Sequence, residues 1–322
     1  MKKISIISIF AVFSAIAYGQ TEKLINPADL KQQTVITEPL TLQKGFLRVG
    51  LFYNYIIQDK YFDESSKKVY YPGSSWATSN DLDLSIEYGI TDRLTVELGI
   101  PYKDDIRTMH LEEYDPSING TISSNFSSKG KGIGDMTVQA TYQVIPSKDH
   151  KLSLRADMEA TFPTGSKNPT NVVNYFEYNL PTGDGAFVVS PGLYARLLSY
   201  PFSFTAFLYY NYNFTEHKII NVGDPEEKEY KYGNNILTGG SLNFQLNEWI
   251  ALTNELDYYY CGKGEEEDVS TNDLNTSWTV TYSPNLIFQI RRFRLGESVS
   301  IPLKGKMYSA DPEFTLFVQY VF

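Results

Sequence analysis

Apolar and polar residues alternate along most of the chain. In 81–90 (DLDLSIEYGI), Leu82, Leu84, Ile86, Tyr88 and Ile90 fall on one side, and Asp81, Asp83, Ser85 and Glu87 on the other. Residues 93–102 (RLTVELGIPY) set Leu94, Val96, Leu98, Ile100 and Tyr102 against Arg93, Thr95, Glu97 and Gly99. The segments 134–144 and 151–162 repeat the pattern, as do 202–214, 235–246, 249–260 and 277–290 with less regularity. A period of two places successive side chains on opposite faces of a strand, and no run shows the three- and four-residue spacing of an amphipathic helix.

The connections give the order of these strands. Short polar turns at Thr91-Asp92, 146–150, 199–201, Asn247-Glu248 and Arg291-Arg292 alternate with long segments near 59–78, 103–132, 165–185, 215–232, 263–275 and 304–312. Strict alternation of short and long connections is the layout of an up-and-down antiparallel transmembrane β-barrel, with tight periplasmic turns and long extracellular loops. Spanning strands need about 9–11 residues. The pattern predicts an all-β fold of about 12 strands, starting near Phe46, Asn80, Arg93, Gly134, Lys151, Ala186, Phe202, Asn234, Trp249, Ser277, Phe293 and Glu313. Pro101, Pro163 and Pro302 are expected at the upper ends of strands, where a missing N–H costs no ladder bond.

Alternation by itself does not say which face meets lipid. Three features place the apolar face outside. Lys2 and Lys3 followed by the apolar run 4–16 and Ala17-Tyr18-Gly19 read as a signal peptide over 1–19, cleaved before Gln20. The polar faces are rich in carboxylates and poor in lysine. The last strand, EFTLFVQYVF, puts Phe314, Leu316, Val318, Tyr320 and Phe322 on one face, and it resembles the C-terminal signal by which the barrel-assembly machinery recognises Gram-negative outer-membrane proteins; Tyr320 and Phe322 are its assembly residues. Residues 20–43 read as a periplasmic N-terminal extension and 44–322 as the barrel in the cell outer membrane. Tyr53, Tyr55, Tyr102, Tyr210, Tyr212, Tyr258, Tyr260 and Trp278 form one expected aromatic girdle, and Tyr88, Tyr142, Phe202, Trp249, Phe293 and Phe322 the other.

Composition narrows the function. The 322 residues carry 28 Lys+Arg against 38 Asp+Glu, a formal charge of −10, and loss of Lys2 and Lys3 makes the exported chain more acidic still. Nucleic-acid binding is disfavoured by that balance. One cysteine, Cys261, leaves no disulfide framework. With 42% hydrophobic and 15% aromatic residues the chain is not disordered.

Segments 37–50 (TEPLTLQKGFLRVG), 130–143 (GKGIGDMTVQATYQ), 158–166 (MEATFPTGS) and 183–197 (GDGAFVVSPGLYARL) together resemble the family named for a meta-pathway of phenol degradation, a group of outer-membrane transporter-like barrels. The resemblance implies a passive channel for small solutes, aromatic or otherwise apolar.

Carried through the strands, the register puts Arg48, Asp81, Asp83, Glu87, Arg93, Glu97, Asp135, Arg155, Asp157, Glu159, Arg196, Glu255 and Asp257 on the lumen face, with Arg292 and Arg294 near the periplasmic rim. Phe52, Tyr194, Phe207, Tyr209, Tyr259 and Phe317 also point inward, as stepping stones for an apolar solute or as wall packing. The charges suit a pore of mild cation preference, or a plugged barrel whose charges pair and hold its shape, serving structure or surface interaction. The competing class is an outer-membrane lipid-modifying enzyme, which needs a His beside a Ser or a fixed acid pair. The three His residues argue against it: His110 and His217 fall in long loops and His150 in a turn, with no His-x-Ser arrangement. No cofactor or metal is expected, because the acidic runs 224–227 and 265–268 lack the glycine-punctuated spacing of a calcium loop. The expected partners are outer-membrane lipid, lipopolysaccharide, the barrel-assembly machinery and an unidentified small solute.

Overall fold

The computed structural model describes residues 40–322 except 73–74, 116–119, 147–150, 175–176, 220–221 and 268–275. Twelve strands form the barrel wall: β1 (Leu47–Gln58), β2 (Trp76–Thr91), β3 (Leu94–Asp115), β4 (Met136–Ile145), β5 (Leu152–Phe162), β6 (Val188–Ser199), β7 (Phe202–Asn213), β8 (Asn235–Gln245), β9 (Ile250–Cys261), β10 (Ser277–Ile290), β11 (Phe293–Lys306) and β12 (Glu313–Val321). Each pairs antiparallel with its neighbours in sequence. The ring closes because β1 pairs on one side with β2 (Phe52 opposite Asp83) and on the other with β12 (Phe52 opposite Phe317). The barrel wall itself therefore has no open edge, and every strand starts within a few residues of its expected position.

Exposure along the wall is inverted relative to a water-soluble protein. Leu51, Leu193, Leu208 and Leu256 on the outer face are 40–52% exposed, whereas the inward Gln143, Asp157 and Arg196 are 2%, 4% and 6% exposed. So large an apolar outer surface is tolerated only against hydrocarbon, which makes this a transmembrane barrel. Aromatics ring both ends of the outer face, with Tyr53, Tyr102, Tyr210, Tyr212 and Tyr258 at one level and Tyr88, Phe202, Trp249, Phe293 and Phe322 at the other.

Two features depart from the sequence reading. Most of 103–132 is not an irregular loop: β3 continues upward and pairs with Gly120–Ile133 from Tyr102–Ile133 to Asp115–Gly120, a tall hairpin beyond the barrel wall. Pro101 and Pro302 lie inside strands. Pro101 sits where the partner of β3 changes from β4, whose pairing ends at Gly99–Thr137, to the hairpin strand, and Pro302 sits beside a register shift in the β10–β11 ladder. Both therefore occupy places where the ladder is already interrupted, which is what a residue without an N–H tolerates.

Small sheets dress the loop end. Lys60–Phe62, Lys68–Tyr70 and Tyr308–Ser309 form one, and Glu216–Lys218, Lys228–Lys231 and Glu265–Glu266 another.

Candidate functional site in the barrel lumen

The period of two fixes the lumen lining: even positions of β1 and β6, even positions of β11 up to Pro302, and odd positions of the remaining strands face the axis. At the turn end, Arg48 on β1 faces Glu87 on β2 and grips its carboxylate through Nε at 2.7 Å and Nη2 at 2.5 Å. Arg294 on β11 donates to Gln289 at 2.9 Å. Arg93 lies in the Asp92-Arg93 turn rather than in the strand, because the β3 ladder starts at Leu94. Arg196 is buried against β5 and β7, across from Ser153 and Thr205.

The segment before β1 enters this end of the lumen. Thr41 Oγ1 bonds Gln143 Oε1 and the Asp92 carbonyl at 2.9 Å each, and the Leu42 N–H donates to Thr95 Oγ1 at 2.7 Å. Gln143 and Thr95 are inward residues of β4 and β3. The segment fits because position 89 is glycine: a Cβ there would lie 2.0 Å from the Gln43 carbonyl oxygen. The sequence alone places these residues in an extension outside the barrel, and nothing in their composition signals the docking. Residues 20–39 lie outside the described region.

The middle of the lumen holds a charged network on β4–β7. The Asp157 carboxylate accepts from Thr141 Oγ1 at 2.9 Å, Arg155 Nε at 3.1 Å and the Tyr209 hydroxyl at 2.7 Å. The Arg155 guanidinium lies 4.4 Å from the Tyr194 ring centroid. Next to it, Glu97 accepts from Ser85 Oγ at 2.7 Å, and Glu159 faces Gln139 and Ser190 across the two ladders.

The inward aromatics lie flat on the wall. A Cβ at Gly192, opposite Tyr209 in the β6–β7 ladder, would come within 2.2 Å of that ring, and one at Gly296 within 2.3 Å of Phe317. Each ring therefore rests on the bare backbone of the neighbouring strand instead of spanning the lumen. Phe52 stacks on Phe317 at 5.5 Å, Phe207 and Tyr209 sit 6.0 Å apart, and Tyr259 meets Tyr308 of the loop end at 5.5 Å.

Carboxylates dominate the outer half. Asp83 accepts from Asn54 at 2.9 Å, Asp81 pairs with Lys103 at 3.0 Å, and Asp105 accepts from Ser79 at 2.5 Å. Glu255 and Asp257 on β9 form no ion pair among the described residues. Glu313 on β12 faces Ser300 and Ile56 and completes the ring; it stands in phase with the inward Phe317, so the alternation carried its signal. Asp135 precedes β4 and works as a loop anchor, accepting from the N–H groups of Gly165 (2.9 Å), Asp184 (2.7 Å) and Gly185 (3.2 Å). A cavity of about 480 Å³ opens here between Lys103, Asp105, Asp135, Asp184, Tyr232 and Tyr259.

A lysine clamp joins two connections above this cavity. Lys167 Nζ donates to Glu216 Oε1 at 2.9 Å, to Glu227 Oε2 at 3.2 Å and to the His217 carbonyl, and Asn168 Nδ2 donates to Glu227 Oε1 at 2.6 Å. The bond to Glu216, followed by that to Glu227, holds the Lys167 ammonium above its usual range. Glu227 is held below the usual carboxylate range by Asn168 and then Lys167. At Glu216 burial pushes upward, but the bonds from Lys167 and the His217 N–H outweigh it and the group ends lower than usual. Among the described residues no three His, Cys, Asp or Glu side chains gather as metal ligands. The His110 ring bonds the Asn125 side chain at 2.6 Å, and His150 lies outside the described residues.

A family model described as "Putative MetA-pathway of phenol degradation" matches residues 108–291, more than half of the chain. The chain is similar in structure to the COG4313 outer membrane channel from Pseudomonas putida F1, with a TM-score of 0.66 at 16% identity over 93% of this chain and 100% of that one. It aligns more loosely with the Ralstonia pickettii toluene transporter TbuX, with a TM-score of 0.42 at 11% identity over 88% of this chain and 90% of that one. No curated protein matches the chain significantly.

Proposed function

The chain belongs to the MetA-pathway of phenol degradation family, and from that premise we propose that it is an outer-membrane channel for passive passage of small solutes, apolar or aromatic ones included. The observation that carries this reading is the lumen wall. Its aromatic rings are folded onto glycines, the Arg48–Glu87 and Arg155–Asp157 pairs lie along the wall, and a cavity of about 480 Å³ stays open at the loop end. That volume is in the range of small-molecule sites. The Phe52–Phe317 stack and the Phe207–Tyr209 pair offer apolar surface along the way, and the polar groups between them keep the path wet.

The same reading makes the protein a channel rather than an enzyme. It is exported through a cleaved leader and assembled into the outer membrane through its last strand, where Tyr320 and Phe322 pack edge to face at 4.8 Å. Its loops then face lipopolysaccharide. A plugged barrel is the second reading, favoured by Thr41 and Leu42 seated in the turn end of the lumen.

Reconstitution separates the two. Purified protein in planar bilayers should give discrete current steps, and vesicles containing it should admit small aromatic solutes faster than empty ones. A barrel that is folded by heat-modifiable gel mobility yet silent in bilayers and impermeable in vesicles would establish the plug.

A further inference from the structure

The cavity at the loop end is walled by Tyr232 and Tyr259, and Pro101, Pro181 and Val188 add apolar surface. Most of its charged groups are engaged. Asp135 serves three N–H groups, Asp105 accepts from Ser79, and Lys103 pairs with Asp81. Asp184 differs. Its backbone is fixed from both sides, the N–H donating to Asp135 Oδ2 at 2.7 Å and the carbonyl accepting from the Tyr232 hydroxyl at 3.3 Å. The residue is exposed and lines the cavity, and its carboxylate has no hydrogen bond or ion pair among the described residues. Although accessible, the carboxyl is crowded by protein. That burial, followed by the charge of Asp135, raises it above the usual range, while the Lys218 and Lys103 ammonium groups pull it back.

The aromatic side already holds a cation. Lys218 Nζ lies 4.5 Å from the Tyr232 ring centroid and 4.9 Å from that of Tyr230, and it donates to the Tyr232 hydroxyl. It has no ion pair among the described residues. An ammonium over a tyrosine face is held by the negative face of the ring. One wall of the cavity is therefore built to carry positive charge, and an unpaired carboxylate stands beside it.

We propose that this cavity binds an organic ammonium ion, a small cation on an aromatic or apolar frame, with its charge at Asp184 and its frame against Tyr232 and Tyr259. Its role as the entry site for such solutes rests on the channel reading. A neutral aromatic gains the rings but leaves Asp184 unpaired, and an anion meets Asp105, Asp135 and Asp184 together. A bare metal ion finds no set of three ligands among the described residues. A cavity of about 480 Å³ suits a molecule rather than an ion. Lys218 acts as a tethered competitor, seated on the same ring and attracted by the same acid. It keeps binding weak enough for the solute to leave again.

Calorimetric titration of the full-length protein in lipid nanodiscs at neutral pH tests the site, with phenethylammonium as the probe. It should bind about tenfold or more tighter than its neutral counterpart, phenethyl alcohol. Phenylpropionate and calcium should give no binding heat. Asp184→Asn keeps the shape and both backbone bonds and should weaken phenethylammonium binding about tenfold. Lys218→Met should strengthen it about threefold by removing the competing charge. A damaged fold cannot produce that gain, and heat-modifiable gel mobility checks the fold of each variant. Equal affinity for the alcohol and the ammonium overturns the proposal, as does an Asp184→Asn variant that binds like the unaltered protein. A conducting channel that binds no phenethylammonium overturns the site and leaves the channel standing. Binding as expected in a barrel that is silent in bilayers upholds the site and overturns the channel reading.

Discussion

Asp157 concentrates the energetics of the lumen wall. Its carboxylate is fully covered and accepts from Thr141, Arg155 and Tyr209, so its removal strands the Arg155 charge against the Tyr194 ring. Losing one partner of a buried pair costs about 3–5 kcal/mol, whereas replacing both by apolar side chains of similar size is close to neutral. Asp157→Ala should therefore destabilise the barrel by that amount in urea titrations in lipid vesicles, and Arg155→Met with Asp157→Leu by much less. Equal losses in the two would show that the pair is incidental. The inward direction of Asp157 was legible from the alternation, but its partners were not. Tyr209 lies two strands away, and only the register of β5, β6 and β7 together sets it over Gly192 and against the acid. For the same reason, nothing local to the sequence tells a ring lying on the wall from one projecting into the lumen.

Among the elements, the spanning strands were legible and the loop end was not. The strand starts follow from a strict two-residue period ended by short polar turns, both of which are local. Residues 103–133 lose the apolar half of the period above Tyr102, yet stay extended because β3 carries its ladder upward. There the strand is held by backbone pairing with no lipid-facing pattern to announce it. Asp135 likewise read as a wall residue, although its oxygens serve three N–H groups of a connection thirty and more residues away. The Lys167 clamp is the element that ties two such connections, and its behaviour with pH has a definite sign. Glu216 and Glu227 titrate below their usual 4.5, so the stability they lend is complete above that value and lost as the pH falls through their lowered range. Lys167 titrates above its usual 10.5 and keeps its charge throughout. Hydrogen exchange at the Ile219 N–H, which donates to Asn168 Oδ1 at 2.8 Å, should stay slow from pH 7 to pH 5 after correction for intrinsic rates. It should quicken only once the pH has fallen below 4.5, as the two carboxylates take up protons. Lys167→Gln should make exchange fast across the whole range; a variant still protected at pH 7 would show that the clamp holds nothing.

At the scale of the whole molecule, everything turns on which face meets hydrocarbon. Leu256 lies near the centre of β9, points away from the lumen and is 52% exposed, while its neighbour Glu255 points inward. In a water-soluble barrel an arginine at such an exposed site would be neutral or would improve solubility. In a bilayer the same side chain has to reach the headgroups from mid-strand, at a cost of about 2–4 kcal/mol near the midplane. Leu256→Arg should thus lower the unfolding free energy in lipid vesicles by that amount, and the loss should shrink when the substitution is moved to Tyr260, close to the aromatic girdle. The gradient with depth is the informative quantity. A packing defect in the wall would cost the same at either level, whereas hydrocarbon penalises charge most at its centre. A flat response, or none, would mean that the outer face is not in lipid, and the lumen chemistry built on that sidedness would have to be reassigned to solvent.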